Sequence, residues 1–144
     1  MEDILISIKP QYVNKILSGC KLIELRTRKV NVPAGTKIWI YSTLPEGEIV
    51  ASGVIEKIEL TSPENAWGKY SEVLCINNND FNEYVGENTE VCLLHLNQIK
   101  ELSKRLSLSQ LRQSEINFHP PQFFMRLSQN HGITKILSMA SGVG

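Results

Sequence analysis

The chain has 144 residues, 42% of them apolar and 21% charged, the balance of an ordinary globular protein. That length makes one domain able to bury a core without disulfides or a metal, and its apolar residues are spread too evenly for bulk disorder. No apolar run approaches about 18 residues, so no membrane span is expected. The N-terminus carries Glu2 and Asp3 before its apolar run, unlike an export signal, which puts positive charge first.

In chain order, residues 4–9 alternate Ile4, Ile6 and Ile8 against Leu5, Ser7 and Lys9, which predicts a strand with one well-buried face. Pro10 ends it and suits the first turn of a helix over 10–18, with Tyr12, Val13, Ile16 and Leu17 on one face and Gly19 as the stop. Strands follow at 21–27 and 37–43, separated by a basic, turn-rich stretch from Arg28 to Gly35. A long strand over 48–60 is interrupted by Gly53, where a bulge or bend is expected.

Ser62-Pro63-Glu64 reads as the start of a helix near 62–70 that buries Trp67 and Tyr70. Asn77 to Asn79 reads as a polar linker, and Phe81, Tyr84 and Val85 sit at helical spacing before Gly86. A strand over 89–97, a helix over 107–113 and a helical turn on Phe123, Phe124 and Leu127 complete the reading. Residues 138–144 are expected to form a flexible tail after a single domain over 1–137. Helices are too few and too irregular for a doubly wound sheet. The expected class is α+β: a small, mostly antiparallel β-barrel decorated by short helices.

The neutral net charge hides a segregation. Residues 1–45 hold seven Lys/Arg against three Asp/Glu, residues 46–95 hold two against ten, and residues 96–144 hold six against two. An anionic partner is therefore expected at a local site rather than through bulk attraction, while the acidic middle would suit a basic protein partner. Cys20, Cys75 and Cys92 are odd in number and widely spaced, and His95, His119 and His131 form no ligand pair, so no disulfide framework, metal or cofactor is expected. A reducing cytoplasm suits such a chain. Phosphate-loop, dinucleotide and serine-hydrolase motifs are absent.

The densest polar stretch runs from Gly19 to Lys29. On strict alternation Glu24 and Arg26 share a face, with Leu22 beside them and Lys21 opposite unless the chain is still turning after Gly19. One reading is a polar pocket in which Arg26 offers a planar donor fork to phosphate. Another is an exposed Glu24–Arg26 pair on a solvated face, worth roughly 0–1 kcal/mol. Trp39 and Tyr41 share a strand face and would either stack on bases or pack under a helix. Tyr41-Ser42-Thr43 closes a strand, where hydroxyls would either reach a ligand or merely form a turn. Arg28, Lys29 and Lys37 would form a phosphate rim or a solvated loop. His95 reads as a hydrogen-bonded core or edge residue.

Ile4 to Pro10, the helix to Gly19, and Gly19-x-Lys21-x-x-Glu24-x-Arg26 resemble the opening of ASCH domains, of the PUA-like superfamily. The strands at 38–42 and 50–59, the segment 81–96 and Pro120-Pro121-Gln122-Phe123 are similar to later parts of that family. The resemblance covers roughly residues 4–127. It implies a PUA-like barrel with a cleft beside the first helix and an RNA, nucleotide or nucleoside ligand. The ligand-binding residues would be Lys9, Lys21, Glu24, Arg26, Arg28, Tyr41 and Ser42, with Lys21 and Glu24 the candidates for catalysis. Some members resemble amidohydrolases of acetylated cytidine that use a lysine and a threonine three residues later; here the second position is Glu24, which removes that hydroxyl. Others are linked to RNA cleavage, where Lys and Glu serve as acid–base groups. The expected function is RNA or nucleotide binding, with an enzyme on RNA or a modified nucleoside, or a protein-interaction module of a transcriptional cofactor, as alternatives.

Overall fold

A computed structural model describes residues 1–141. Its elements are β1 (Asp3–Ile8), α1 (Pro10–Leu17), β2 (Ile23–Arg26), β3 (Lys37–Ser42), β4 (Glu48–Thr61), α2 (Pro63–Leu74), α3 (Asn78–Val85), β5 (Val91–Ser107), α4 (Leu108–Ser114), β6 (Phe124–Leu127) and α5 (Thr134–Ala140). The six strands form one sheet in the order β2-β5-β4-β3-β1-β6, a half-barrel of the PUA-like α+β kind. All neighbours are antiparallel except β1 and β3, which run parallel with Ile6 opposite Ile40. No helix among the described residues is long and apolar enough to cross a membrane.

The backbone of the half-barrel is the pairing of β4 with β5. Its register shifts three times, between Ile49 and Ala51, Ser52 and Val54, and Ile55 and Lys57. These irregularities bend both strands. Gly53 sits in the middle shift, where a Cβ would meet Ile99 Cδ1 at 2.5 Å, so the Ile99 side chain fills the space that a side chain there would take. The expected bend at Gly53 is therefore present. β5 runs ten residues past the expected end at 97. Its second half, rich in polar and basic residues, buries only Leu102 and Leu106 and so hides its strand character.

β1 corrects a second expectation. Leu5 is as fully buried as Ile4 and Ile6, so both faces of the strand are covered. Ile4, Ile6 and Ile8 pack with Val13 and Ile16 of α1. Leu5 packs on the other side with Trp39, Tyr41, Leu111 of α4 and Leu137 of α5. A third cluster joins Ile23 and Leu25 of β2 to Ala66 and Leu74 of α2 and Phe81 and Val85 of α3.

Helix starts follow side-chain capping. Ser62 Oγ accepts from the Asn65 amide at 3.1 Å, and Asn77 Oδ1 accepts from the Asp80 amide at 2.8 Å. Asn77 to Asn79 is thus the start of α3 rather than a linker. Trp67 and Tyr70 are half-buried against the third cluster. Phe124 to Leu127 is a strand on β1, not a helical turn: Phe124 joins the first cluster while Met125 and Leu127 join the second, an alternation of period two. Ser138 to Ala140 lie in α5, anchored by buried Leu137, so the expected tail does not begin at 138. Residues 142–144 of that expected tail lie outside the described residues.

Candidate nucleotide-binding cavity

The site forms where β2, at one edge of the half-barrel, comes near β1, next to the other edge. Its geometry begins at the end of α1. Gly19 has φ +87°, a left-handed conformation that L side chains disfavour, and it reverses the chain. The Lys21 amide then donates to the Lys15 carbonyl at 3.0 Å, and the Leu22 amide to the Val73 carbonyl at 2.9 Å. Lys21 thus lies in a turn rather than in the strand, and the alternation rule does not govern it. Leu22 is exposed and does not stand beside Glu24 and Arg26.

Within β2, Ile23 and Leu25 face α2 and α3, which leaves Glu24 and Arg26 on the inner side. Neither charged residue is on a solvated face: Lys21, Glu24 and Arg26 are only 3%, 7% and 8% exposed. Arg26 Nε and Nη2 both donate to Glu24 Oε2, at 3.0 and 2.7 Å. Nη2 also donates to the Ser7 carbonyl of β1 at 2.8 Å, so the guanidinium spans the gap between β2 and β1. Glu24 Oε1 lies 3.8 Å from Lys21 Nζ. Lys21 Nζ donates to the Leu74 carbonyl at the end of α2, at 2.6 Å, and stands over the Tyr12 ring at 5.3 Å. Two cations share one carboxylate, an arrangement that offsets part of the cost of burying all three. Burial pushes the Lys21 ammonium below its usual pKa, and Glu24 opposes that shift.

These groups open onto a cavity of about 650 Å³, within the range that receives one small ligand. Lys9, at the junction of β1 and α1, lines it with Lys21, Glu24 and Arg26. Among the described residues the Nη1 group of Arg26 has no protein acceptor, and it is not sealed from solvent. Its two N–H groups are free for a ligand oxygen. Ser7, Tyr12, Thr43 and Gln122 also line the cavity, as do Asp80, Glu83 and Tyr84 of α3. Of these, sequence reasoning offered only Thr43, in the Tyr41-Ser42-Thr43 strand end, as a ligand contact and passed over the rest. The Pro120-Pro121-Gln122-Phe123 match was the available signal for Gln122. For α3, the signal was the i, i+3, i+4 spacing of Asp80, Glu83 and Tyr84 on a face other than that of Phe81 and Val85.

Three expected ligand contacts fall elsewhere. Tyr41 is 3% exposed in the second core cluster with Trp39, whose indole N–H donates to Asp3 Oδ2 at 2.9 Å; both rings are packed under helices and neither stacks on a base. Burial raises the Tyr41 phenol above its usual pKa. Ser42 is fully buried and its hydroxyl donates to Glu46 Oε1. Arg28 is exposed beyond the end of β2 and does not line the cavity. Thr43, one residue past Ser42, is the residue of that strand end that reaches it. His95 Nε2 lies 3.0 Å from Glu59 Oε1, the hydrogen-bonded role expected of it. Among the described residues no group of His, Cys, Asp and Glu is arranged to hold a metal ion.

A family model, described as a domain of unknown function (DUF365), matches residues 1–113. An ASCH domain-containing ribonuclease of Zymomonas mobilis is 28% identical over 143 residues, spanning 99% of this chain and 95% of the relative. The crystal structure of an ASCH protein from Zymomonas mobilis matches with a TM-score of 0.88 at 24% identity, over 96% of each chain. This chain is an ASCH domain of the DUF365 family. The ASCH fold extends to human THYN1, solved with DNA containing 5-methylcytosine, at a TM-score of 0.59 and 9% identity over the whole of both chains.

Proposed function

We propose that this ASCH domain binds single-stranded RNA through one nucleotide held in the cavity between β1, α1, β2 and α3. The observation that carries this reading is the Arg26 guanidinium. Three of its N–H groups are committed to Glu24 and Ser7, which hold it rigid, its Nη1 group has no protein acceptor among the described residues, and the residue lines the cavity. A preorganised donor pair of that kind, on a side chain nine-tenths buried, suits a phosphate oxygen. Lys9 adds a second, solvated cation at the rim. The ribonuclease name of the Zymomonas mobilis relative supports a nucleic-acid ligand.

The test is a labelled single-stranded RNA titrated with wild type and Arg26→Gln at two salt concentrations, read by anisotropy and by gel. Wild type binds, more weakly at higher salt, and Arg26→Gln loses at least about tenfold in affinity, the worth of one hydrogen bond to a charged group. Equal binding by the two proteins would remove Arg26 from the site.

Cleavage of the bound strand is the second reading, and the buried Lys21 favours it. A lysine whose pKa is lowered by desolvation holds more of the neutral amine that can accept a proton. Transfer of a ribose 2′-hydroxyl proton to that amine lets the 2′-oxygen bond to the adjacent phosphorus. The bond to the 5′-oxygen then breaks, and the departing oxygen takes a proton from water. The gel arm decides: shortened RNA with wild type, spared by Lys21→Met and by a 2′-deoxy substrate, establishes cleavage, and RNA intact with wild type excludes it.

A further inference from the structure

The cavity has a second wall of different character. α3 buries Phe81 and Val85 against β2 and turns Asp80, Glu83 and Tyr84 to the cavity. Among the described residues neither carboxylate has a cation within 4 Å, although Lys9, Lys21 and Arg26 line the same space. Asp80 accepts only from its own cap, Asn77, whose Nδ2 lies 3.0 Å from Oδ2. The Glu83 carboxylate accepts no hydrogen bond among the described residues. The Tyr84 ring is 45% exposed and free of stacking partners, whereas the Tyr12 ring already carries Lys21 and Lys15.

Counted together, the cavity lining holds three cations and three carboxylates. It is therefore dipolar, not generally attractive to anions. A ligand that fits must be negative at one end and rich in hydrogen-bond donors at the other. A plain stretch of phosphates does not meet that demand, and α3 would repel it. A nucleotide does, provided its base carries an exocyclic amino group. A carboxylate accepts from such a group, as acidic side chains accept from the amino group of cytosine. A base with a carbonyl at that position would set oxygen against oxygen.

We propose that α3 selects the base: the nucleotide phosphate lies at Arg26 Nη1, an amino-bearing base donates to Asp80 and Glu83, and Tyr84 supplies the stacking face. This rests on the reading of the cavity as a nucleotide site and names the class of nucleotide. Two independent observations converge on it: the nine-tenths buried Arg26 side chain, pinned by Glu24 and Ser7 with its Nη1 group left without a protein acceptor among the described residues, and the uncompensated acidic-aromatic face of α3. The stacking contribution is indifferent to base identity, since every base has a π-face; the choice between bases falls to the two carboxylates.

The experiment compares oligocytidine with oligouridine of the same length. The two pyrimidines have the same outline but carry an amino group and a carbonyl respectively at the 4-position. Binding is measured with wild type, with Asp80→Asn/Glu83→Gln and with Arg26→Gln. Wild type is expected to prefer oligocytidine by about tenfold or more, the usual scale for reading one base edge. The double variant should lose that preference by weakening on oligocytidine without weakening on oligouridine. Both substitutions are near-isosteric and at exposed positions, so the fold is retained. Equal wild-type affinity for the two oligomers, with binding still lost in Arg26→Gln, overturns base selection and leaves the nucleotide site standing. A preference that survives the double variant also overturns it. Absence of binding to either oligomer by wild type overturns both the base assignment and the site.

Discussion

Two arginines in this molecule are held by carboxylates, and they do opposite things. Arg105 of β5 touches Glu46 at 3.3 Å, Glu48 at 3.1 Å and Glu101 at 3.0 Å, and its side chain is 31% exposed. Arg26 of β2 touches one carboxylate, Glu24, and its side chain is 9% exposed. By a count of ion pairs, Arg105 is the better-partnered cation. Yet its pairs lie in water, where screening and side-chain entropy consume most of the attraction. Arg26 has fewer partners in a drier place. Each of its bonds is harder to replace with water, and it lines a cavity with two donors left without a protein acceptor among the described residues. Desolvation separates a site from a surface decoration, and the number of partners does not.

The largest effect expected from this contrast follows removal of Glu24. Glu24→Ala leaves Arg26 and Lys21 buried without their shared counter-charge. Breaking a buried pair in this way costs about 3–5 kcal/mol, to be read from denaturant unfolding against wild type. A loss below about 1 kcal/mol would mean that the two cations escape to water and that the site is softer than its geometry.

Lys21 gives an intermediate effect with a definite sign. Its folded pKa lies below the ordinary 10.5, chiefly through burial. Between the folded and unfolded values the unfolded chain holds more protons, so stability rises with pH across that window. The penalty of burying the ammonium is fully present below the folded pKa and is gone above about 10.5. Unfolding free energies measured at several alkaline pH values should therefore climb in wild type relative to Lys21→Met. Parallel curves would show that the lysine is hydrated.

The smallest effect belongs to Arg105. Arg105→Ala should cost under about 1 kcal/mol despite three ion pairs, and less still in high salt. It should leave RNA binding unchanged, since Arg105 lies outside the cavity. A cost approaching that of Glu24→Ala would erase the distinction between the two clusters.

Much of the fold was legible in local pattern. The alternation of Ile4, Ile6 and Ile8, the proline opening α1, the Ser62 cap and the bend at Gly53 each follow from a rule acting within a few residues. β6 was misread because Phe123 and Phe124 side by side suit a helical turn as well as a strand, and only pairing with β1 chooses between them. The burial of Tyr41 was likewise undecided by its strand. A strand face is open or covered according to what arrives later in the chain, here α4 and α5.

By itself the sequence determined which side chains share a strand face and where the chain must turn. It also placed a lysine, a glutamate and an arginine within six residues. Only the tertiary structure decided that these three are buried together, that Ser7 rather than Ser42 completes their cluster, and that α3 supplies a second, acidic wall. Local rules act through steric and hydrogen-bond preferences over a few bonds. Desolvation depends on every element that closes around a group, and in this protein those elements come from residues 7 to 122.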